Sequence, residues 1–171
     1  MLQIYHGDGK GKTTAVVGLA VRAAGAGMKV LFMQFLKNGT SSEIGVLKQI
    51  SGITVICCEE CIKFTFQMNE DEKKAVINRH NEMLNYAYDV LSDGKADVLI
   101  LDEFLDAYNK SMIDTDSARN LILSYSDKAE IAVTGRSPEE CFIDKADYIS
   151  YISAEKHPYT KGVNSRKGIE Y

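Results

Sequence analysis

A chain of 171 residues is long enough for one domain that buries roughly 70% of the surface its unfolded form exposes. A 45% hydrophobic and 26% charged composition with only 2 prolines excludes a disordered chain, and 20 Lys+Arg against 24 Asp+Glu, a net charge of −4, removes the positive field that non-specific nucleic-acid binding needs. No apolar run approaches the roughly 20 residues that cross a bilayer, and MLQIYHGDGK lacks the basic and apolar regions of a signal peptide, so cytoplasmic residence is expected, with neither membrane nor nucleic acid as partner.

Leu2 to Tyr5 is a short apolar run leading into HGDGKGKTT, and a stretch of small and apolar residues from Lys12 to Ala26 follows, which reads as strand, loop, helix. KVLFMQF (29–35) is a continuous apolar run bounded by glycines, as expected of a strand buried on both faces. SSEIGVLKQISG has a cap-like Ser42 and a helical pattern, and GITVICC is a third apolar run.

The longest helix is expected from a cap at about Asn69 to a close at Gly94, with Ala75, Val76, Met83, Tyr86, Ala87, Val90 and Leu91 on one face. ADVLILDE is a short apolar run ending in two acids, and EIAVTGR and DYISYIS supply later strands, with a helix starting at Pro138 between them. Only the tail after Ala154 reads as irregular. Strands alternating with helices predict an α/β fold, a mainly parallel sheet with helices on both faces of the RecA-like P-loop kind, in a single domain over 1–171.

The loop GDGKGKTT carries the chemistry. It ends in the G-K-[ST] order of a phosphate loop, but the usual spacing is G-x-x-x-x-G-K-[ST], and here the first glycine, Gly7, stands one residue too close. Glycines let backbone N–H groups close around phosphate oxygens, Lys12 adds a point charge, and Thr13 is placed to ligate Mg²⁺. Asp8 is the odd member, a carboxylate near an expected polyphosphate. VLILDE delivers Asp102 and Glu103 to the carboxyl end of a buried strand, where either can meet the metal directly or through water. Thr134 and Arg136 of TGR reach the same edge, Arg136 either toward phosphate or in an ion pair.

Cys57, Cys58, Cys61 and Cys141 are expected to be reduced. Cys58-x-x-Cys61 has the spacing of half a metal site or a redox pair, but no second Cys-x-x-Cys or Cys/His pair accompanies it in the sequence, which favours a packing role. The three histidines, His6, His80 and His157, form no Ser/His/Asp-like arrangement, which suits a reaction without a general base.

GDGKGKTT, MQFLKNG, FTF, LDE, VTGR and the tail KHPYTKGVNSRKGIEY, in this order and spacing, resemble the phosphate-loop type of ATP:corrinoid adenosyltransferase over nearly the whole chain. The resemblance implies ATP, Mg²⁺ and a reduced corrinoid, an electron donor for cobalt, a homodimer, and ATP bound in the reverse sense so that its 5′ carbon is exposed. It also implies that Gly7, Asp8, Gly9, Lys10, Gly11, Lys12, Thr13 and Thr14 hold the triphosphate, with Arg22 near the nucleotide, and that Thr13 and Glu103 ligate Mg²⁺ with Asp102 in support. Phe64 and Phe66 would pack on the corrin and displace its lower ligand, although ring size alone favours a place in the core.

Better-known members have Phe-Thr-Trp where this chain has Phe64-Thr65-Phe66, and they often carry residues ahead of the first strand, whereas Met1 stands almost on it here. Closure of the site by such residues is then either absent or supplied from elsewhere, and the basic tail, with Lys156, His157, Lys161, Arg166 and Lys167, reads either as a cover over nucleotide or corrinoid, which the resemblance favours, or as a solvated terminus. Two other readings stay open on the residues alone: a small-molecule kinase or ATPase, and an ATP-controlled binding switch.

Overall fold

A computed structural model describes residues 1–170; Tyr171, the last residue of the GIEY signature, lies outside them. Six strands, β1 (Leu2–His6), β2 (Val30–Gln34), β3 (Ile53–Cys57), β4 (Val98–Asp102), β5 (Glu130–Gly135) and β6 (Tyr148–Tyr151), form one sheet in the order β3-β2-β4-β5-β1-β6. Every pairing is parallel. The expected strands are all present; β1 runs one residue longer than expected, to His6, and the others are trimmed at their ends.

Parallel strands need crossovers, and the helices that supply them cover both faces. Side chains alternate across β2: Val30 and Phe32 join a cluster with Val16, Ala20 and Ala23 of α1 (Lys12–Gly25) and Ile44 and Leu47 of α2 (Ser42–Leu47). Leu31 and Met33 point the other way, into a larger cluster built with α3 (Glu70–Ser92), α4 (Phe104–Asn109), α5 (Thr115–Tyr125) and Phe142 of α6 (Glu140–Lys145).

Helix boundaries follow local chemistry. Asn69 caps α3 through a reciprocal capping box, its side chain accepting from the Glu72 N–H at 2.9 Å while Glu72 accepts from the Asn69 N–H at 2.9 Å. The inward face of α3 differs from the expected one: His80 and Leu84 are buried, while Ala75 and Tyr86 are exposed. The helical pitch places His80, Met83, Leu84, Ala87 and Leu91 in one stripe, and Ala75 and Tyr86 fall outside it.

Ser41, not Ser42, is the residue preceding α2, and α6 begins after Pro138, at Glu140. The sequence reading passes over α4 and α5. Helix α5 is capped by Asp114, which accepts from the Ser117 N–H at 2.7 Å, and buries Ala118, Leu121, Ile122 and Tyr125 at helical spacing. Among the described residues, no helix is long and apolar enough to cross a membrane.

Candidate active site

The glycine loop joins the carboxyl end of β1 to the first turn of α1, and its floor is the backbone that leaves β6. The Gly9 N–H donates to the Ile152 carbonyl at 2.8 Å, and the Ile152 N–H to the His6 carbonyl at 2.7 Å. A Cβ on Gly7 would stand 2.3 Å from the Ile152 oxygen, and one on Gly9 would stand 2.5 Å from the Ser153 oxygen. Neither position has room for a side chain, because the opposing atoms are backbone. The loop, one residue short of the usual spacing, thus lies pressed against residues 152–153.

Lys12 bends back over the loop and donates to the carbonyls of Gly7 at 2.7 Å and Gly9 at 2.9 Å. Burial lowers the pKa of its ammonium and Arg136 adds to the effect, against the opposing pull of Glu103, Asp106 and Asp8. A cation so placed gains from an anionic ligand that restores its charge partner.

The acids at the end of β4 divide their work. Asp102 is fully buried and gathers three donors: the Thr13 hydroxyl at 2.9 Å, the Thr134 hydroxyl at 2.8 Å and the Gln34 amide at 3.1 Å. Lys37 lies 3.7 Å from Asp102 and 3.2 Å from Glu103. Burial pulls Lys37 down, but the two carboxylates outweigh it and hold its pKa above the usual value. Glu103 adopts a left-handed backbone (φ 60°), and its N–H donates to the Thr134 hydroxyl at 2.9 Å, which turns the chain sharply from β4 into α4. The side chain that touches Thr13 is therefore Asp102, while Glu103 engages Lys37.

Two adjoining clefts open here, of about 270 and about 340 Å³. The smaller is lined by the loop from Asp8 to Thr14, with Lys37, Glu103, Arg136 and the tail residues His157, Ser165, Ile169 and Glu170. The larger runs from Thr13 and Thr14 past Val17 to Ser42, Glu43 and Val46 of α2, with Gly168 to Glu170 on its other wall. The tail expected to cover the site thus lies against it, although Arg166 spends its charge on Glu170 at 2.9 Å. Arg136 donates to Asp106 at 3.3 Å, the ion pair that was one of its two expected roles, and its side chain also lines the smaller cleft. Arg22 is exposed in the last turn of α1, ten residues beyond Lys12, and lines neither cleft.

Phe64 and Phe66 are not core residues. Phe64 precedes and Phe66 lies within the short 3₁₀ turn 65–67, 71% and 81% exposed, with their rings stacked at 5.6 Å and an interplanar angle of 8°. Ile62, two residues before Phe64, is exposed as well.

Residues 1–171 match the family model described as ATP:corrinoid adenosyltransferase BtuR/CobO/CobP. The chain belongs to that family. Corrinoid adenosyltransferases of Pseudomonas aeruginosa and Escherichia coli K12 are each 27% identical to it, with 100% and 98% of this chain and 83% and 84% of theirs covered. The corrinoid adenosyltransferase CobA of Salmonella typhimurium is 26% identical over 98% of this chain and 84% of its own. Among solved structures, the ATPase 2 and 3 region of EssC from Geobacillus thermodenitrificans superposes with a TM-score of 0.52 at 13% identity, covering 99% of this chain and 36% of that one, a likeness of fold alone. Kinase, ATPase and switch readings give way to the adenosyltransferase one.

Within this adenosyltransferase the sequence reading overlooks Gln34 and Lys37 as site residues. Both stand in the family-typical MQFLKNG stretch, and a glutamine closing a fully buried five-residue strand is the signal that pointed to them.

Proposed function

We propose that the smaller cleft holds the triphosphate of ATP, the larger its nucleoside, and the stacked phenylalanines the corrin, so that the 5′-deoxyadenosyl group passes from ATP to Co(I). The observation that carries this reading is the pairing of a phosphate loop with a bare aromatic pair on one edge of the sheet, in a chain matched end to end by the adenosyltransferase family. The glycine loop and the loop bearing Phe64 and Phe66 both leave carboxyl ends of strands, β1 and β3, four strand spacings or about 19 Å apart. Between them lie the ends of β2 and β4, with Gln34, Lys37, Asp102 and Glu103.

Chemically, the cobalt lone pair forms a bond to C5′ as the C5′–O bond breaks, and its electron pair leaves with triphosphate; no proton moves at the reacting carbon. The protein's work is therefore orientation and charge. Backbone N–H groups of residues 10–14 and the ammonium groups of Lys10 and Lys12 take up the growing charge on the leaving group, with Arg136 at the cleft wall. An oxygen-only donor set fits Mg²⁺: the Thr13 hydroxyl, the Asp102 and Glu103 carboxylates, and the buried Gln34 Oε1, which has no hydrogen-bond partner. Held by these residues, Mg²⁺ would supply positive charge to offset that of the departing triphosphate. Ile169 and Glu170 of the tail help to exclude water from the same cleft.

The same reading includes an electron donor that delivers Co(I), cytoplasmic residence, and a homodimer. For the last, edge strand β6 offers exposed Tyr148, Ile149 and Tyr151. Anaerobic mixing of reduced corrinoid, ATP, Mg²⁺ and protein tests the reaction. Inorganic triphosphate and a light-sensitive alkylcobalt spectrum are expected, and ADP as the product would end the proposal.

A further inference from the structure

Cys58 and Cys61 lack a sequence neighbour that would make them a metal site, but the fold supplies one. His80, buried on α3, brings its Nε2 within 3.9 Å of Cys61 Sγ, and the two sulfurs stand 3.2 Å apart. One ligand atom from each of the three lies within 4.8 Å of the others, and all three side chains are buried. This is the cluster of potential metal ligands found among the described residues. We infer that Cys58, Cys61 and His80 form a structural Zn²⁺ site, separate from the Mg²⁺ site of the phosphate cleft, that clips the loop bearing Phe64 and Phe66 to α3.

Three observations carry the inference. The first is ligand spacing: with Zn–S near 2.3 Å and Zn–N near 2.0 Å, the edges of a tetrahedral site are about 3.5 to 3.8 Å, and the observed separations bracket them.

The second is orientation of the imidazole. His80 Nδ1 sits 2.7 Å from the Met112 carbonyl, which can only accept, so Nδ1 carries the proton and Nε2 presents its lone pair toward the sulfurs. The Leu36 N–H, at a long 3.3 Å, points at that same lone pair. A backbone carbonyl holding the far nitrogen is how metal-ligating histidines are positioned.

The third is the chemistry of the set. Two thiolates and an imidazole suit Zn²⁺ far better than Mg²⁺. Glu60 Oε2 lies 3.7 Å from Cys58 Sγ but pairs with Arg79 at 3.9 Å, so the three buried residues are the ligand set. Binding displaces the two thiol protons.

The clip has a mechanical consequence. The turn hydrogen bonds of residues 58–68 run within the loop, from Cys61 to Cys58, Ile62 to Glu60, Gln67 to Phe64 and Met68 to Thr65. The ion pairs Lys63–Glu72 and Glu60–Arg79 join the loop to α3 at the surface, and a zinc would add a buried link between the same elements. That the anchored rings meet a corrin rests on the proposed function; the zinc site does not.

Metal analysis of the full chain, purified from zinc-supplemented cells without chelators, tests the inference. About one tightly held zinc per chain is expected, and Co²⁺ replacing it should give thiolate charge-transfer and tetrahedral ligand-field bands. Cys61→Ser and His80→Gln should lower the zinc to less than about a tenth of that, while Thr13→Ala keeps it. Stripping zinc with a chelator should speed amide exchange in 58–68 and leave α1 unchanged.

Wild-type protein that is folded but zinc-free and gives no tetrahedral Co²⁺ spectrum would overturn the site, whatever the variants do. So would a Cys58–Cys61 disulfide in the purified chain. Neither result bears on whether triphosphate is the product, so the two proposals fail separately.

Discussion

The glycine loop and the aromatic loop leave the same edge of the sheet but are held in opposite ways. Residues 7–14 are locked by backbone: Gly7 and Gly9 rest on the carbonyls of Ile152 and Ser153, and the first turn of α1 continues the loop. Residues 58–68 expose their largest rings and are tied to the body through buried Cys58, Cys61 and Met68. In the proposed function the first region would handle a ligand whose charge is fixed by chemistry, and backbone dipoles that cannot move suit it. In the same proposal the second would receive a broad apolar surface, and its support comes from side chains that meet only after folding. A site can thus combine a rigid half with a half drawn from the less stable part of the structure.

Removing the charge of the rigid half should have the largest effect. Lys12→Ala is expected to cut turnover about 10²–10³-fold, the range for losing one preorganised electrostatic group, and to weaken ATP binding in calorimetry. Normal turnover in this variant would detach the loop from catalysis.

Next come the acids, where the contrast lies inside one dipeptide. Asp102→Asn removes the charge that gathers Thr13, Thr134 and Gln34, and should cost about 1.5–3 kcal/mol of stability and raise the Mg²⁺ requirement. Glu103→Gln, at a partly buried side chain paired with Lys37, should raise the Mg²⁺ requirement with less change in melting temperature than Asp102→Asn. A metal titration moved by neither variant would take Mg²⁺ away from both carboxylates.

The aromatic loop predicts the reverse pattern. Phe64→Ala and Phe66→Ala should leave stability within about 0.5 kcal/mol, since both rings are exposed, and leave ATP affinity intact. Each should raise the KM for corrinoid about 5–30-fold, as loss of an aromatic anchor does, and suppress the four-coordinate Co(II) spectrum. A large melting loss without a corrinoid effect would return the rings to a structural role.

Smallest of all is Arg22→Ala. The resemblance sets this arginine near the nucleotide, but it lies outside both clefts, so ATP affinity should change by less than about twofold, within the usual scatter of surface changes. A tenfold loss in an ATP titration would show that a second chain or a moving segment brings it to the site.

Much of the molecule was legible because its signals are local. Five-residue apolar runs ending at Gln34 and Asp102, a glycine loop against a helix start, and the Asn69 capping box each depend on neighbours a few residues away. Helix α5 was equally legible, from Asp114 and the spacing of Ala118, Leu121, Ile122 and Tyr125, and went unread because its apolar stripe is short.

By itself, then, the sequence determined the strand–loop–helix that places Lys12 and Thr13, the acids at the end of β4, and the family. Only the tertiary structure decided which acid faces Thr13, since Asp102 and Glu103 are adjacent and the left-handed turn at Glu103 sends their side chains apart. It also took Phe64 and Phe66 out of the core, because no local pattern distinguishes a buried ring from a bare one. And it brought His80 to Cys58 and Cys61 by folding α3 back over the loop, a meeting across about twenty residues that helix periodicity predicts only as an inward face.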